Sequence, residues 1–286
     1  AVKTFGPDDG WPGHAVRAVA AGKDGSVWIA TREGLFLWQG NAFVAYQPAD
    51  GLAGANTQSL LIDAHGEGDV WVGTSYGVQQ LDTVSMTRFS EGDGLDKGLI
   101  ARIASTADSN VWFIAASTTA GFKLSRFDGR QIDKLSATDG LPGNNPNTLC
   151  TDRDGSLLVG DWSAPIARYR PEPGTGNRPR FQIVEGSGPA SALARSTTGD
   201  LWFGEDRGAR ILGEKSPYVD WTIGAVRLAQ AGENGTVWFG GPELGIYQWD
   251  GTRFLLFGAA AGLPSSEVTA IQPLPGGALL AVADRK

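Results

Sequence analysis

Short apolar segments alternate with polar, glycine-containing turns along the whole chain. Residues 15–46 show the pattern most clearly, with apolar segments at 15–20, 27–30, 35–38 and 43–46. Glycine is favoured in the tight turns between such segments because it adopts positive φ without steric cost. The pattern predicts a unit of four antiparallel strands joined by hairpins.

The second strand of this unit recurs seven times with nearly the same wording: a turn residue, a small polar residue, an aliphatic residue and usually Trp. The copies begin at Gly25, Gly68, Ser109, Gly155, Gly199, Gly235 and Gly277. Their fourth positions (28, 71, 112, 158, 202, 238 and 280) lie 36 to 46 residues apart. A β-rich repeat of about 42 residues is typical of a β-propeller, in which each repeat forms one blade. We therefore predict an all-β, seven-bladed β-propeller that forms a single domain over residues 1–286.

The two ends of the chain predict how the ring closes. Residues 2–5 precede Asp9-Gly10 in the same way that Phe89 precedes Asp93-Gly94, which makes them an outer strand of the last blade. Residues 283–286 align with the end of a second strand, so the seventh blade is expected to lack its third strand. We therefore expect the sequence to be part of a longer protein.

Composition narrows the classes of partner. The net charge is −7 and the pI is about 4.9, which disfavours nucleic acid and anionic membrane surfaces as partners. No apolar stretch reaches eighteen residues, so no membrane insertion is expected. Cys150 is the only cysteine, and its position in a predicted strand favours a buried apolar role over a nucleophile. We find no spaced His/Cys cluster or phosphate-binding loop, and predict neither a metal nor a cofactor.

The loops of a propeller divide between two faces of the disc. The turns between first and second strands are tight and repetitive here, whereas the turns between second and third strands and the blade-to-blade connections are irregular. Loops that a rigid scaffold holds in place commonly carry function, so we predict a ligand site on the second face, at the mouth of the channel. Aromatic, amide and charged side chains suit a small polar ligand such as a glycan or peptide. The candidate ligand-binding residues are Trp11, His14, Arg32, Tyr76, Asn145, Trp162, Arg207 and Glu243.

The connections themselves share an Asp-Gly-Leu motif. Its aspartates recur with the repeat, so we expect them to be structural; they are Asp9, Asp50, Asp93 and Asp139. Three arginines, Arg17, Arg102 and Arg227, lie on innermost strands and are predicted to line the channel. They could hold an anion there, or pair with channel carboxylates or ordered water and support the ring; the second interpretation is favoured because buried charge is normally paired.

The wording of residues 9–46, with Asp-Gly-Trp-Pro followed by Asp-Gly-Ser-Val-Trp-Ile-Ala-Thr and Glu-Gly-Leu-Phe-Leu-Trp-Gln-Gly, resembles the two-component regulator propeller repeat. The resemblance implies a ligand-sensing, non-catalytic domain of a bacterial hybrid histidine kinase or diguanylate cyclase. It also implies a periplasmic or extracellular location and a dimer of the full-length protein.

Residues 199–211 are similar to blades of streptogramin B lyase, another seven-bladed propeller. That resemblance implies a metal-dependent lyase or a related carbohydrate-active enzyme, which needs a catalytic His. The chain has only His14 and His65, and neither has a companion His nearby, so an enzyme is the less favoured alternative. A propeller that only docks other proteins is a third alternative.

Overall fold

A computed structural model describes residues 5–40, 42–63, 68–82, 85–170, 179–213, 219–220 and 225–283. These residues form antiparallel sheets around a central channel, and the strands of each sheet pair in chain order. The described part has no α-helix. It has six 3₁₀ turns, Pro7–Asp9, Pro48–Asp50, Glu91–Asp93, Ala137–Asp139, Ala259–Ala261 and Pro275–Gly277. The prediction of an all-β propeller is confirmed.

Six sheets have four strands each and are numbered here as blades one to six. Blades one and two contain β1 (Val16–Ala21), β2 (Val27–Thr31), β3 (Leu35–Gln39), β4 (Ala42–Tyr46), β5 (Thr57–Ile62), β6 (Val70–Thr74), β7 (Gly77–Leu81) and β8 (Met86–Phe89). Blades three and four contain β9 (Leu99–Ser105), β10 (Val111–Ser117), β11 (Gly121–Phe127), β12 (Ile132–Leu135), β13 (Pro146–Thr151), β14 (Leu157–Asp161), β15 (Ala167–Tyr169) and β16 (Phe181–Ile183). Blades five and six contain β17 (Ala192–Arg195), β18 (Leu201–Glu205), β19 (Gly208–Ile211), β20 (Val219–Asp220), β21 (Leu228–Ala231), β22 (Val237–Gly241), β23 (Gly245–Trp249) and β24 (Phe254–Phe257).

The prediction of seven blades is wrong in number: the described residues form six four-stranded blades. The seventh copy of the repeat forms a two-stranded sheet of β25 (Val268–Pro273) and β26 (Leu279–Ala283). This sheet lies between blade six and blade one, since β25 contacts both β21 and β1. The repeated motif marks only the second strand of each copy and the strand next to it. Its recurrence therefore gives the number of copies but does not show that each copy forms a complete four-stranded blade.

The predicted closing strand at residues 2–5 lies mostly outside the described residues, which begin at Phe5. The Phe5 ring contacts Trp38 and Phe43 of blade one, at centroid distances of 6.0 and 6.4 Å. His65 and most of the long turn of blade four also lie outside the described residues.

The apolar core lies between neighbouring blades. Trp112 of β10 is fully buried and packs against Tyr169 and Phe181 of blade four, at centroid distances of 4.8 and 5.8 Å. Its indole N–H donates to the Thr106 hydroxyl. The repeated Trp therefore joins one blade to the next, which explains its recurrence with the period of the repeat.

The Asp-Gly-Leu connections have a common backbone geometry. In the second connection the Asp50 carboxylate accepts the Gln47 N–H at 2.9 Å, and Gly51 follows with φ of 98°. Asp9, Asp93 and Asp139 accept the N–H three residues earlier in the same way. The positive φ favours glycine, and the leucine after it is buried in three connections. These aspartates hold the turns in place, as the recurrence of the motif predicts.

Candidate functional site

The channel is a cavity of about 550 Å³ walled by the seven innermost strands. Side chains of Arg17, Arg102 and Arg227 lie in this wall, where the sequence placed them. A fourth arginine, Arg195, also lines the channel, and the sequence pattern did not identify it as a channel residue. It is the last residue of β17, so it lies towards the face of the tight turns. Aligning the first strands through their pairing with the repeated second strand would have revealed it.

Arg195 is neutralised by a buried carboxylate. The Asp152 side chain is 5% exposed and accepts hydrogen bonds from Nη2 of Arg195 at 2.9 Å and from Nη2 of Arg168 at 2.7 Å. This end of the channel wall is therefore a closed ion-pair network. Such an arrangement suits a structural role because each buried charge has a partner.

The other mouth of the channel lies on the face that carries the blade-to-blade connections and the turns between second and third strands, called here the connection-loop face. This mouth exposes aromatic and charged side chains. Between blades four and six, Trp162 lies with 41% of its surface exposed, and the Arg227 guanidinium carbon lies 4.7 Å from the centroid of its ring. Nη2 of Arg227 also pairs with Asp206 at 2.8 Å. Two loops and the start of an innermost strand thus meet in one exposed cluster, called here the Trp162 cluster (Trp162, Asp206 and Arg227).

Asn145 supports this cluster through the backbone. Its carbonyl accepts the Trp162 N–H at 3.4 Å, and its own N–H donates to the buried Asp161 carboxylate at 2.8 Å. Asp161 also accepts the Ser163 N–H and hydroxyl. The loop that carries Trp162 is therefore fixed by a buried carboxylate, which presents the indole at low entropic cost.

The predicted residues of blades one and two lie elsewhere on the face. Arg32 lies with Arg17 in an open cleft whose other lining residues are Asn56, Gln58 and Leu99. Tyr76 is 63% exposed, and its ring lies against Gly54, where a Cβ would come within 2.7 Å of it. Both side chains are open to solvent.

The remaining predicted residues are less directly placed for a ligand. Trp11 is partly buried and packs against Phe36 and Phe43, at 5.3 Å from each. His14 contacts Phe36 and lies 3.6 Å from the Glu33 carboxylate. The structure therefore brings Trp162, Asn145 and Arg227 together and places Trp11 against two aromatic rings of blade one.

Arg207 and Glu243 lie at the tips of turns. Both are exposed, and Glu243 has φ of 60°, a left-handed conformation that is uncommon for a residue with a side chain. Each belongs to a turn between second and third strands on the connection-loop face.

Cys150 lines the channel and is partly buried. Burial raises the pKa of its thiol to about 11, so the thiol is protonated at neutral pH and is a poor nucleophile. Among the described residues, no three His, Cys, Asp or Glu side chains lie together as metal ligands would. The described part contains no helix long and apolar enough to cross a membrane.

Comparison with protein-family models and with curated proteins gives no match. Among solved structures, this chain is similar to the extracellular domain of a hybrid two-component system from B. thetaiotaomicron, with a TM-score of 0.69 and 16% identity. The match covers 94% of this chain and 36% of that chain, so the present sequence spans about a third of the solved extracellular domain.

Two other solved structures extend the comparison. A catalytically inactive virginiamycin B lyase from Staphylococcus aureus with quinupristin has a TM-score of 0.66 at 14% identity, covering 94% of this chain and 92% of that chain. PorZ, a surface component of the type-IX secretion system of Porphyromonas gingivalis, has a TM-score of 0.52 at 14% identity, covering 93% and 37%. At these identities the likenesses show the fold, and both kinds of protein that the repeat resembles are among the neighbours.

Proposed function

We propose that this chain is the ligand-sensing propeller of a bacterial signalling protein, located in the periplasm or outside the cell. In this proposal a small polar ligand, such as a glycan or peptide, binds over the channel on the connection-loop face. The wording of the repeat and the similarity to extracellular domains of two-component systems support the signalling role.

The observation that carries the proposal is the exposed Trp162 ring beside the channel mouth. A tryptophan that is 41% exposed on a fixed loop offers an apolar platform, and Asp206 and Arg227 beside it offer polar partners. Sugars and peptide side chains combine apolar faces with hydrogen-bonding edges, which this combination matches. Arg32, Tyr76, Asn145, Arg207 and Glu243 are the other proposed contributors on this face, and His14 lies at its edge.

The test is binding of a panel of neutral oligosaccharides and short peptides, measured by calorimetry and by tryptophan fluorescence. Replacing Trp162 with Ala should weaken binding by roughly tenfold to a hundredfold, the range expected for an aromatic hot spot. Trp162→Phe should retain part of the affinity. Leu256→Ala is the matched control, because Leu256 is 56% exposed on the outermost strand of blade six. Binding that survives Trp162→Ala unchanged would refute this site.

An enzyme related to virginiamycin B lyase is the second candidate. The specific observation in its favour is coverage, since the alignment includes nearly the whole of both chains. Incubation with quinupristin and a divalent metal ion, followed by mass spectrometry of the antibiotic, distinguishes the two candidates. A sensor leaves the antibiotic intact, whereas conversion of the antibiotic at catalytic enzyme concentrations would favour the lyase.

A further inference from the structure

Five of the seven innermost strands have an irregularity at the same height, near the connection-loop face. In blade one, Val16 pairs with Thr31 and Ala18 with Ala30, so Arg17 is an extra residue that forms a β-bulge. Corresponding shifts leave one extra residue in blades two, three and four and in the two-stranded sheet. These extra residues are Gln58, Ala101, Asn147 and Thr269.

The other two blades place a residue at the same height without a shift in register. The N–H groups of Ser191 and Arg227 donate to the carbonyls of Gly204 and Gly240, at 2.8 and 3.0 Å, immediately before the regular pairing of β17 and β21 begins. Each of the seven sheets therefore places one residue at this height, and five of the seven residues line the channel. This bulge ring consists of Arg17, Gln58, Ala101, Asn147, Ser191, Arg227 and Thr269.

The bulge ring concentrates polar atoms that lack partners. Nε of Arg17, Nη1 of Arg227, Oγ1 of Thr269 and both amide atoms of Asn147 are buried and make no hydrogen bond within the described protein. Arg17, Arg227 and Thr269 line the channel. A buried polar atom without a partner typically costs about 1–3 kcal/mol, so three such residues in the channel wall at one height call for a ligand-binding explanation. Bulges are also over-represented beside functional sites, because they redirect a side chain.

The charge around the ring has one sign. Arg102 follows the bulge of blade three and lies in the channel wall, whereas no Asp or Glu is among the described residues that line the channel. Desolvation lowers the pKa of Arg102, but a guanidinium remains protonated at neutral pH. Arg227 has Asp206 on its outer side, and no ion pair is found for Arg17 or Arg102 within the described part. The described residues thus offer neither of these two arginines a carboxylate partner in the channel.

We infer that the bulge ring, with Arg102, binds an oxyanion, namely a carboxylate, sulfate or phosphate group that enters the channel from the connection-loop face. Guanidinium groups match such oxygens with paired N–H donors, and the amide and hydroxyl groups of Gln58 and Thr269 complete the polar wall. The inference rests on the proposed function and deepens it: the ligand carries an acidic group that reaches into the channel beneath Trp162.

The first experiment uses inorganic sulfate and phosphate as probes. Sodium sulfate is added against sodium chloride at equal ionic strength, and the thermal midpoint is followed. A ligand that binds only the folded state raises the midpoint with a saturable dependence, whereas general salting-out by sulfate does not saturate. We expect a saturable rise for the wild type and a loss of at least tenfold in apparent affinity for Arg17→Gln and for Arg102→Gln.

The matched control is Arg130→Gln, which removes the same charge from an exposed turn on the opposite face. Arg130→Gln should leave the saturable rise of the thermal midpoint unchanged, and Arg17→Lys should retain part of that rise. If the Gln variants fail to fold, protection from phenylglyoxal serves instead: sulfate should slow modification of Arg17 and Arg102 but not of Arg130, as read by mass spectrometry. A rise that is linear and equal in all variants, without protection, would overturn the inference.

A second experiment separates the sources of the acidic group and the two proposals. Trigalacturonate and neutral trigalactose are each titrated in the presence and absence of sulfate. If sulfate competes with trigalacturonate but not with trigalactose, the group bound in the ring is a carboxylate of the ligand. If sulfate or phosphate binds but does not compete with trigalacturonate, the group bound in the ring is the inorganic ion. Binding of neutral saccharide that depends on Trp162 but ignores sulfate would refute the oxyanion inference and leave the proposed site standing. Saturable sulfate binding without saccharide or peptide binding would refute the proposed saccharide or peptide site and leave the oxyanion inference standing.

Discussion

Substitution of Asp152 tests how strongly burial increases the contribution of an ion pair to the free energy of unfolding. Its carboxylate lies between two guanidinium groups, with Oδ1 2.9 Å from Nε of Arg195 and Oδ2 2.7 Å from Nη2 of Arg168. The substitution Asp152→Asn keeps the shape of the side chain and removes its charge. Two partly buried cations would then face a neutral amide.

The expected loss follows from the exposure of the three side chains. Removing one partner of a buried pair typically costs about 3–5 kcal/mol. Arg168 and Arg195 are 24% and 18% exposed, so solvent screens part of the effect, and we expect about 3 kcal/mol. Asp154 is the control, because it contacts the same Arg168 at 2.9 Å but is 51% exposed. Exposed pairs contribute about 0–1 kcal/mol, so Asp154→Asn should lose roughly 0.5 kcal/mol.

Urea unfolding of both variants gives the free energies, with similar denaturant slopes expected if the folded state is unchanged. The double variant Asp152→Asn/Arg168→Gln should recover part of the loss, since one unpaired cation is removed. Equal losses for Asp152→Asn and Asp154→Asn, or a loss below about 1 kcal/mol for Asp152→Asn, would show that burial does not control this network.

Three further predictions concern other parts of the molecule. Trp112→Ala should cost about 3–5 kcal/mol of unfolding free energy in urea because it empties the core between blades three and four, whereas Leu256→Ala should be near neutral. With its thiol pKa raised to about 11, Cys150 should react with iodoacetamide at pH 7.5 only after unfolding; native labelling as fast as that of a free thiol would contradict this. Hydrogen bonds from the Thr252 hydroxyl and the Arg253 and Thr252 amides lower the pKa of Asp250 to about 2. Its contribution to stability should be present above about pH 4 and lost as the pH falls towards 2, so Asp250→Asn should lose less stability than the wild type between pH 5 and pH 2.5.

The repeating positions could be predicted from the sequence because each has one local cause. A glycine after Asp50 or Asp93 is required by the left-handed turn of the connection, and a Trp at position 112 is required by the neighbouring blade. The same structural requirement exists in every copy of the repeat, so the same residue types recur at regular intervals in the sequence. The seventh copy was expected to lack its third strand, and its described residues form only β25 and β26; the outer strand expected at residues 2–5 lies mostly outside the described residues.

Trp11 shows why the candidate site was harder to predict. It stands where the buried Leu52, Leu95 and Leu141 stand in the other connections, and it is partly buried against Phe36 and Phe43. Its aromatic character favours a ligand contact, whereas its place in the repeat favours packing. Trp162 lies outside the repeat and is exposed, so position relative to the repeat separates the two better than residue type.

The bulge ring combines a symmetric backbone with an asymmetric set of side chains. The extra residue recurs around the channel, so its cause is backbone closure at the mouth, whereas the arginines occur in blades one and six, with Arg102 near the bulge of blade three. A purely structural ring would be expected to repeat its side chains, as the Asp-Gly-Leu connections do. Unequal residues with unpaired donors instead fit a ligand that is itself asymmetric, with its acidic end in the channel and its remainder against the Trp162 cluster. Arg17, Arg102 and Arg227 belong to blades one, three and six, so they approach such a ligand from three directions, with Arg227 already paired with Asp206.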